Sequence, residues 1–180
     1  MKDEVIWQDS QYAILRRKPT LANLVPTKLR QSSTHEKLRW LVQYLYGYQV
    51  YVLVENTNAN GGGAEIGYCF IGDGANFRYT FADRGDALVG PYYVSPDKRG
   101  MGLAAKLVST CLRIDPPKTG KAWEFIQHNN AASIKTAEKV GFSYYSECRY
   151  SKRTRVLSPV YNETGDEMLF CYTESEKEYA

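Results

Sequence analysis

The feature that most constrains the fold is a pair of glycines between a strand pattern and a helix pattern. Apolar residues from Leu88 to Val94 predict a short strand, and after a Pro-containing turn Arg99-Gly100-Met101-Gly102 opens a segment of helical apolar spacing. The first N–H groups of a helix lack intrahelical partners, and the helix dipole adds partial positive charge there. Glycines let the backbone approach a ligand without an intervening Cβ atom. The segment therefore predicts a site for an anionic oxygen, most simply a phosphate, with Arg99 as an added cation.

A second pattern follows the next predicted strand, Ala122 to Ile126. Asn130-Ala131-Ala132-Ser133 opens a helical pattern that ends at Val140-Gly141-Phe142. Asn130 is a favourable N-cap residue, and Gly141 is a favourable residue just past a helix C-terminus. The pattern therefore predicts a short, well-capped helix from Asn130 to Val140.

Taken together, the two patterns resemble the GNAT superfamily of acyl-CoA-dependent N-acyltransferases. The matching residues are Val94-x-Pro96-x-x-Arg99-Gly100-x-Gly102-x-Ala104 and Asn130-x-x-Ser133-x5-Lys139-x-Gly141-Phe142. The resemblance covers the chain from about Leu88 to Tyr145. It implies an α/β fold with a mixed, mostly antiparallel central sheet, splayed parallel middle strands and flanking helices. It also implies a single acyltransferase-like domain over residues 1–180.

The resemblance further implies acetyl-CoA as the co-substrate. Backbone amides of the glycine turn would bind its diphosphate, and the strand before the turn would pair with its pantetheine arm. The residues carried over as acetyl-CoA-binding are Tyr92, Tyr93, Val94, Arg99, Gly100, Met101, Gly102, Leu103, Ala104, Asn130 and Ser133. For Asn130 and Ser133, helix capping is a competing explanation.

The implied activity is direct transfer of the acetyl group to a primary amine, preferably of a small molecule. Two departures from the family pattern favour the alternative, a non-catalytic acyl-CoA-binding sensor or scaffold. Ala137 stands where many members have a Tyr acid, and Phe125 stands where many have a Glu base; the neighbouring Glu124 points to the opposite strand face. His128 has the intrinsic pKa of a base, and Tyr93 could serve as an acid. A loop histidine and a sheet-packing tyrosine remain the simpler explanations.

A nucleotide-binding alternative rests on the same glycines, since Gly100 to Ala105 also fits the G-x-G-x-x-A pattern of dinucleotide-binding folds. In those folds the strand runs straight into the first glycine. Here Ser95 to Arg99 intervene, which disfavours this alternative.

Composition indicates which partners and which cellular compartment to expect. The net charge of +3 is mild, so nucleic acid is not an expected partner. Met1-Lys2-Asp3-Glu4 lacks the apolar core of a signal peptide, and the chain has no apolar run long enough to span a bilayer. The four cysteines form no CxxC or other metal-ligand pair. A cytoplasmic protein without a bound metal and without membrane contact is expected, and a homodimer is left open.

Residues outside the two patterns predict further helices and strands. Ser33 and Glu36 form a capping-box pattern before a helix that Gly47 ends. The other predicted segments are a strand at Tyr12–Arg16, a weak helix at Thr20–Gln31, strands at Gln49–Glu55 and Ala64–Ile71 joined by a loop at Asn56–Gly63, and two late strands within Phe142–Tyr150 and Met168–Tyr172.

Overall fold

A computed structural model describes residues 3–30, 33–56 and 63–173, without the side chains of residues 34 and 35. Most of the predicted loop at 56–63 lies outside the described residues. The elements are β1 (Glu4–Gln8), β2 (Tyr12–Arg17), α1 (Thr34–Tyr46), β3 (Tyr48–Glu55), β4 (Glu65–Asp73), β5 (Ala87–Val94), a 3-10 turn (Pro96–Lys98), α2 (Leu103–Ile114), β6 (Lys121–Ile126), α3 (Ala131–Val140), β7 (Ser143–Tyr150), β8 (Leu157–Val160) and β9 (Glu167–Thr173).

The chain forms two compact units whose segments alternate in sequence. Unit 1 comprises the chain up to Gly72 together with Gly90–Asp115, and unit 2 comprises Asp73–Val89 together with the chain from Pro116 onward. β5 begins in unit 2 and ends in unit 1. Because neither unit is continuous, no single linker in the sequence could mark the division. The single domain expected over residues 1–180 stays a prediction.

In unit 1 the strand order is β1-β2-β3-β4-β5, and the ladders from β1 to β4 are antiparallel. Trp40 of α1 packs on Phe70 with ring centroids 4.5 Å apart, within a cluster that includes Val50, Val52 and Tyr68. This cluster gives unit 1 an apolar core between α1 and one face of the sheet.

In unit 2 the strand order is β5-β6-β9-β7-β8. β5 and β6 run parallel through two residue pairs, Ala87 with Ala122 and Leu88 with Trp123, whereas the β6–β9, β9–β7 and β7–β8 ladders are antiparallel. The predicted mixed and mostly antiparallel sheet with a parallel middle pair is confirmed.

The helix-capping residues predicted for α1 adopt the predicted structure. The Ser33 side chain accepts a hydrogen bond from the Glu36 N–H and the Glu36 side chain accepts from the Ser33 N–H, so the predicted capping box is present. Gly47 ends α1 at φ 88°. In the described part of the chain, no helix is long and apolar enough to cross a bilayer.

The weak helix predicted at Thr20–Gln31 is wrong over the described residues 20–30. Thr20 and Asn23 exchange backbone hydrogen bonds as a tight bridge, and Thr27 and the Lys28 N–H donate to the Glu65 carboxylate instead. Pro26 also cannot donate to a helical ladder. The tertiary contacts of one buried carboxylate therefore hold this segment in turns.

Candidate active site

The turn from β5 into α2 lies in unit 1 and is fixed at the end of the strand. The Ser95 N–H donates to the Ile66 carbonyl of β4 at 2.8 Å, and the Lys98 N–H donates back to the Ser95 carbonyl at 2.9 Å. The C=O and N–H of a trans peptide unit point in opposite directions, so the Val94 carbonyl points away from β4. In an extended strand the N–H of a residue lies on the same edge as its C=O, so the Val94 N–H also faces away from β4.

Arg99 closes this turn with its side chain. Its Nε atom donates to the Val94 carbonyl at 3.1 Å, and its Cζ atom lies 5.6 Å from the centre of the Tyr93 ring. The Tyr93 ring stacks on Tyr68 at 5.7 Å, which ties it to the core of unit 1. The backbone N–H of Arg99 donates to the Pro96 carbonyl at 3.3 Å. Arg99 therefore offers a ligand its guanidinium rather than its amide.

The two glycines adopt left-handed backbone conformations. Gly100 has φ 80°, and Gly102, the N-cap of α2, has φ 74° and ψ 7°. A Cβ atom added at Gly100 would have no neighbour within 4 Å, so open space adjoins the turn. Met101 between them is exposed. The turn thus keeps its backbone accessible at the start of a helix.

The first N–H groups of α2, at Leu103, Ala104 and Ala105, have no acceptor within the helix. These amides and the helix dipole favour an anionic oxygen at this end of α2. The unit 1 residues of the predicted binding set lie together here, with Tyr92 half-buried in β5 just before the turn. Their contact with a cofactor stays a prediction.

Two lysines near the turn are held in ion pairs. Lys98 Nζ lies 2.7 Å from Glu55 Oε1, and that hydrogen bond raises the pKa of Lys98. Lys106 Nζ lies 3.0 Å from Asp9 Oδ2, and the bond lowers the pKa of Asp9. Arg99, in contrast, donates to a neutral carbonyl at the turn.

The second sequence pattern lies in unit 2. The Asn130 side chain caps α3 by accepting from the Ser133 N–H at 3.2 Å, and Gly141 ends the helix at φ 107°. The predicted cap is confirmed, and the cofactor contacts of Asn130 and Ser133 stay predictions. Ala137 is 1% exposed, so this position of α3 faces the core.

β6 and the turn after it contain the residues considered as the general base. Phe125 is half-buried, with its ring 5.4 Å from that of Tyr79. Glu124 is buried, and strand alternation places it on the other face, as predicted. Just past β6, His128 keeps 42% of its side chain exposed, and its Nε2 atom lies 2.9 Å from Oε2 of Glu147.

Glu147 is the functional candidate that sequence reasoning missed. It lies in β7, and a β-bulge between Tyr144 and Ser146 alters the strand register just before it. Neither the bulge nor the partner strand leaves a signal in the local sequence. The two residues predicted to be catalytic lie in different units, Tyr93 in unit 1 and His128 in unit 2.

Solved structures with this fold include several acetyltransferases. A candidate acetyltransferase from Salmonella typhimurium, solved with its cofactor acetyl-CoA, shares 22% identity over 92% of this chain and 96% of its own, with a TM-score of 0.56. The ribosomal-protein-S5-alanine acetyltransferase of Vibrio fischeri shares 14% identity over 94% of this chain and 97% of its own, with a TM-score of 0.57. A spermidine N-acetyltransferase chimera with Vibrio cholerae sequence shares 12% identity over 90% of this chain and 96% of its own, with a TM-score of 0.55. At these identities the likeness concerns the fold.

A comparison with curated proteins gave no match. The sequence model of the Acetyltransferase (GNAT) family matches residues 25–142, which is more than half of the chain and contains the glycine turn and α3. The chain therefore belongs to the GNAT family of acetyltransferases.

Proposed function

We propose that this protein transfers the acetyl group of acetyl-CoA directly to a primary amine of a small molecule. The observation that carries the proposal is the open turn at Gly100–Gly102, which lies beside the outward-facing edge of Val94. A diphosphate needs backbone amides at a helix start, and a pantetheine arm needs an unpaired strand edge. In unit 1 the start of α2 and the outward-facing edge of Val94 lie next to each other, which supports the proposal.

Acetyl-CoA would be held mainly by main-chain groups. The amides from Gly100 to Ala104 would bind the diphosphate, with the Arg99 guanidinium as the nearby cation. The Val94 N–H would bind the pantetheine arm or the thioester carbonyl oxygen. A donor at that oxygen stabilises the negative charge that develops when the amine attacks. In unit 2, Asn130 and Ser133 at the start of α3 would add side-chain contacts.

The transfer requires the loss of two protons from the acceptor. An alkylammonium has a pKa near 10.4, so a base must first take one proton to give the neutral amine. The amine nitrogen then bonds to the carbonyl carbon, the C–S bond breaks with its electron pair passing to sulfur, and the second proton passes to the thiolate. His128 would take the first proton and release it to solvent. Tyr93 would donate to the leaving sulfur and regain the second proton from the amine nitrogen.

The acceptor class is the least constrained part of the proposal. Proteins of this fold include an enzyme named for a ribosomal protein's alanine and one named for spermidine, so the fold accommodates both protein and small-molecule amines. We place the small-molecule amine first. An assay of both classes at equal concentration decides between them.

The experiment that tests the function measures release of the coenzyme thiol from acetyl-CoA against a panel of alkylamines, amino acids, polyamines and peptides. Acetyl-CoA affinity is measured in parallel by calorimetry. We expect binding and thiol release that depends on one class of amine, with the acetylated product visible by mass spectrometry. If acetyl-CoA fails to bind, the assignment of the glycine turn is wrong.

A second candidate, a non-catalytic acyl-CoA-binding module, is favoured by two positions of unit 2. Ala137 is buried and carries no proton donor, and Phe125 packs on Tyr79 in place of a carboxylate. Tight acetyl-CoA binding without product on any amine would support this candidate over the transferase.

A further inference from the structure

β7 carries a carboxylate that is held from three sides. Glu147 keeps 17% of its side chain exposed. Its Oε2 atom lies 2.9 Å from His128 Nε2 and 3.1 Å from the Gly165 N–H, and its Oε1 atom accepts from the Tyr144 hydroxyl at 3.2 Å. Three donors at one carboxylate fix its orientation far better than a single surface ion pair would.

The bulge in β7 accounts for the contact with Tyr144. Tyr144 pairs with Phe170 and Glu147 pairs with Met168, so three residues of β7 advance while β9 advances two. Residues 168 and 170 share a face of β9, and the extra residue therefore brings Tyr144 and Glu147 onto that same face. Partial burial and the negative charge of Glu147 raise the pKa of Tyr144, which keeps its hydroxyl protonated as a donor.

His128 reaches the same carboxylate from β6. Ile126, the last residue of β6, pairs with Met168, which also pairs with Glu147 on the other side. His128 follows two residues later, in a turn closed by the Asn130 N–H donating to the Gln127 carbonyl at 2.9 Å. This turn leaves the imidazole within hydrogen-bonding distance of Glu147.

The hydrogen bond between the His128 imidazole and the Glu147 carboxylate determines which imidazole tautomer is present. A carboxylate only accepts, so the neutral imidazole must carry its proton on Nε2, and its lone pair is then on Nδ1. We propose that Glu147 is a positioning residue, which holds His128 as the Nε2–H tautomer so that Nδ1 is the atom that takes the proton of the acceptor amine. This inference rests on the proposed acetyl transfer.

The proposal gives Glu147 a second effect on the reaction. When Nδ1 takes a proton, the imidazole becomes a cation whose Nε2–H still points at the carboxylate. The negative charge then stabilises the imidazolium, and the Tyr144 and Gly165 donors keep the carboxylate from turning away. Glu147 itself neither gains nor loses a proton.

The test combines a spectrum with kinetics. The imidazole nitrogens are observed by ¹⁵N NMR, and His128 is assigned by comparison with His35→Gln, since the chain has two histidines. We expect the wild-type His128 spectrum, recorded at alkaline pH, to show the Nε2–H tautomer. Glu147→Ala should shift it to a mixture of both tautomers. The control Glu163→Ala removes an exposed carboxylate that pairs with Arg149 and should leave the spectrum unchanged.

With the amine that gives the fastest thiol release, Glu147→Ala should lower kcat about tenfold or more at an unchanged KM for acetyl-CoA. His128→Ala should lower kcat further, and adding Glu147→Ala to it should have little additional effect. Thermal unfolding of each variant checks that it is folded.

Four outcomes would overturn the inference. An Nδ1–H tautomer in the wild type, or an unchanged kcat in folded Glu147→Ala, contradicts the role of Glu147. Full activity in His128→Ala would mean that His128 is not the base, and it would leave the proposed acetyl transfer intact. Bound acetyl-CoA with no turnover on any amine would instead overturn both this inference and the proposed function.

Discussion

The Nε atom of Arg99 donates to the carbonyl oxygen of Val94 at 3.1 Å, which joins the two ends of the turn between β5 and α2. The same guanidinium lies 5.6 Å from the centre of the Tyr93 ring. A single side chain thus fixes the last carbonyl of the strand and places a cation directly before the glycines. The shape of the turn and its electrostatic character therefore depend on the same residue.

Replacing Arg99 should weaken acetyl-CoA binding more than the loss of one positive charge would. Arg99→Ala removes both the hydrogen bond and the cation, and we expect an increase in Kd of about tenfold, or about 1.4 kcal/mol. Arg99→Lys keeps the charge but cannot reproduce the Nε contact, so it should fall between wild type and alanine. The measurement is calorimetric titration with acetyl-CoA at constant ionic strength.

The matched control is Arg113→Ala, which removes an exposed arginine from the last turn of the same helix. Its affinity should equal that of the wild type. An unchanged Kd in Arg99→Ala would mean that the guanidinium serves only the fold of the turn.

Gly102→Ala should separate the ligand role of the turn from backbone strain. The left-handed conformation at φ 74° costs a residue with a Cβ atom about 1–2 kcal/mol, so unfolding should occur at lower temperature. The new methyl group would also occupy the approach of a phosphate to the start of α2. We expect acetyl-CoA affinity to fall about a hundredfold. Calorimetry measures the affinity, and thermal unfolding measures the loss of stability.

Gly141→Ala is the control for strain alone. Gly141 has φ 107° at the end of α3, and a Cβ atom there would meet Tyr172 at an ordinary 3.7 Å. This variant should lose similar stability and keep its affinity. Equal losses of affinity in both variants would contradict a phosphate site at Gly102.

Local signals in the sequence predicted those parts of the fold that one segment determines by itself. The capping pair Ser33 and Glu36, the cap at Asn130 and the end of α3 at Gly141 each depend on residues a few positions apart. Such contacts form within the segment, so the pattern and the structure agree.

The missed elements depend on partners far away in sequence. β1 (Glu4–Gln8) is a short strand with a pairing irregularity between Val5 and Trp7, and β8 (Leu157–Val160) contains Pro159, which argues against a strand. Each forms because a neighbouring strand supplies its hydrogen bonds. The same reason explains why the glycine turn was predictable and the His128–Glu147 contact was not, since the bulge in β7 sets that contact.

The cysteines should react with alkylating agents in an order set by burial. Cys148 is fully buried, and its burial, followed by the nearby charges of Glu167 and Glu147, raises the pKa of its thiol to about 12. At pH 8 only about one thiol in ten thousand would then be ionised, and the thiolate is the reactive form. Cys171, which is half-buried, should be modified first in the native protein.

Mass spectrometry after timed treatment with iodoacetamide checks the order, and denatured protein, in which all four thiols react alike, is the control. Slow native labelling would also keep the background low in a thiol-release assay. Modification of Cys148 at the rate of a free thiol would contradict its burial.

Glu65 should make the protein sensitive to acid. Its carboxylate is 5% exposed and accepts from Arg17 Nη1 at 2.6 Å, Thr27 Oγ1 at 2.8 Å and the Lys28 N–H at 2.7 Å. Burial alone would raise the pKa of Glu65, but the hydrogen bonds from Arg17, Lys28 and Thr27 outweigh it, and the pKa lies below the usual 4.5. The folded state therefore binds this proton more weakly than the unfolded state. The resulting stability is fully present above pH 4.5 and is lost as the pH falls through the lowered value.

Glu65→Gln should remove this part of the pH dependence and lower the free energy of unfolding at pH 7 by about 1–3 kcal/mol, because Arg17 would lose a charged partner. The control Glu4→Gln removes a carboxylate whose side chain is 57% exposed and which pairs with Arg16. It should cost less than about 1 kcal/mol and keep the acid sensitivity of the wild type. Denaturant unfolding from pH 7 to pH 3 measures both variants. If Glu65→Gln lost stability on acidification as steeply as the wild type, the acid-labile contact would have to lie elsewhere in the chain.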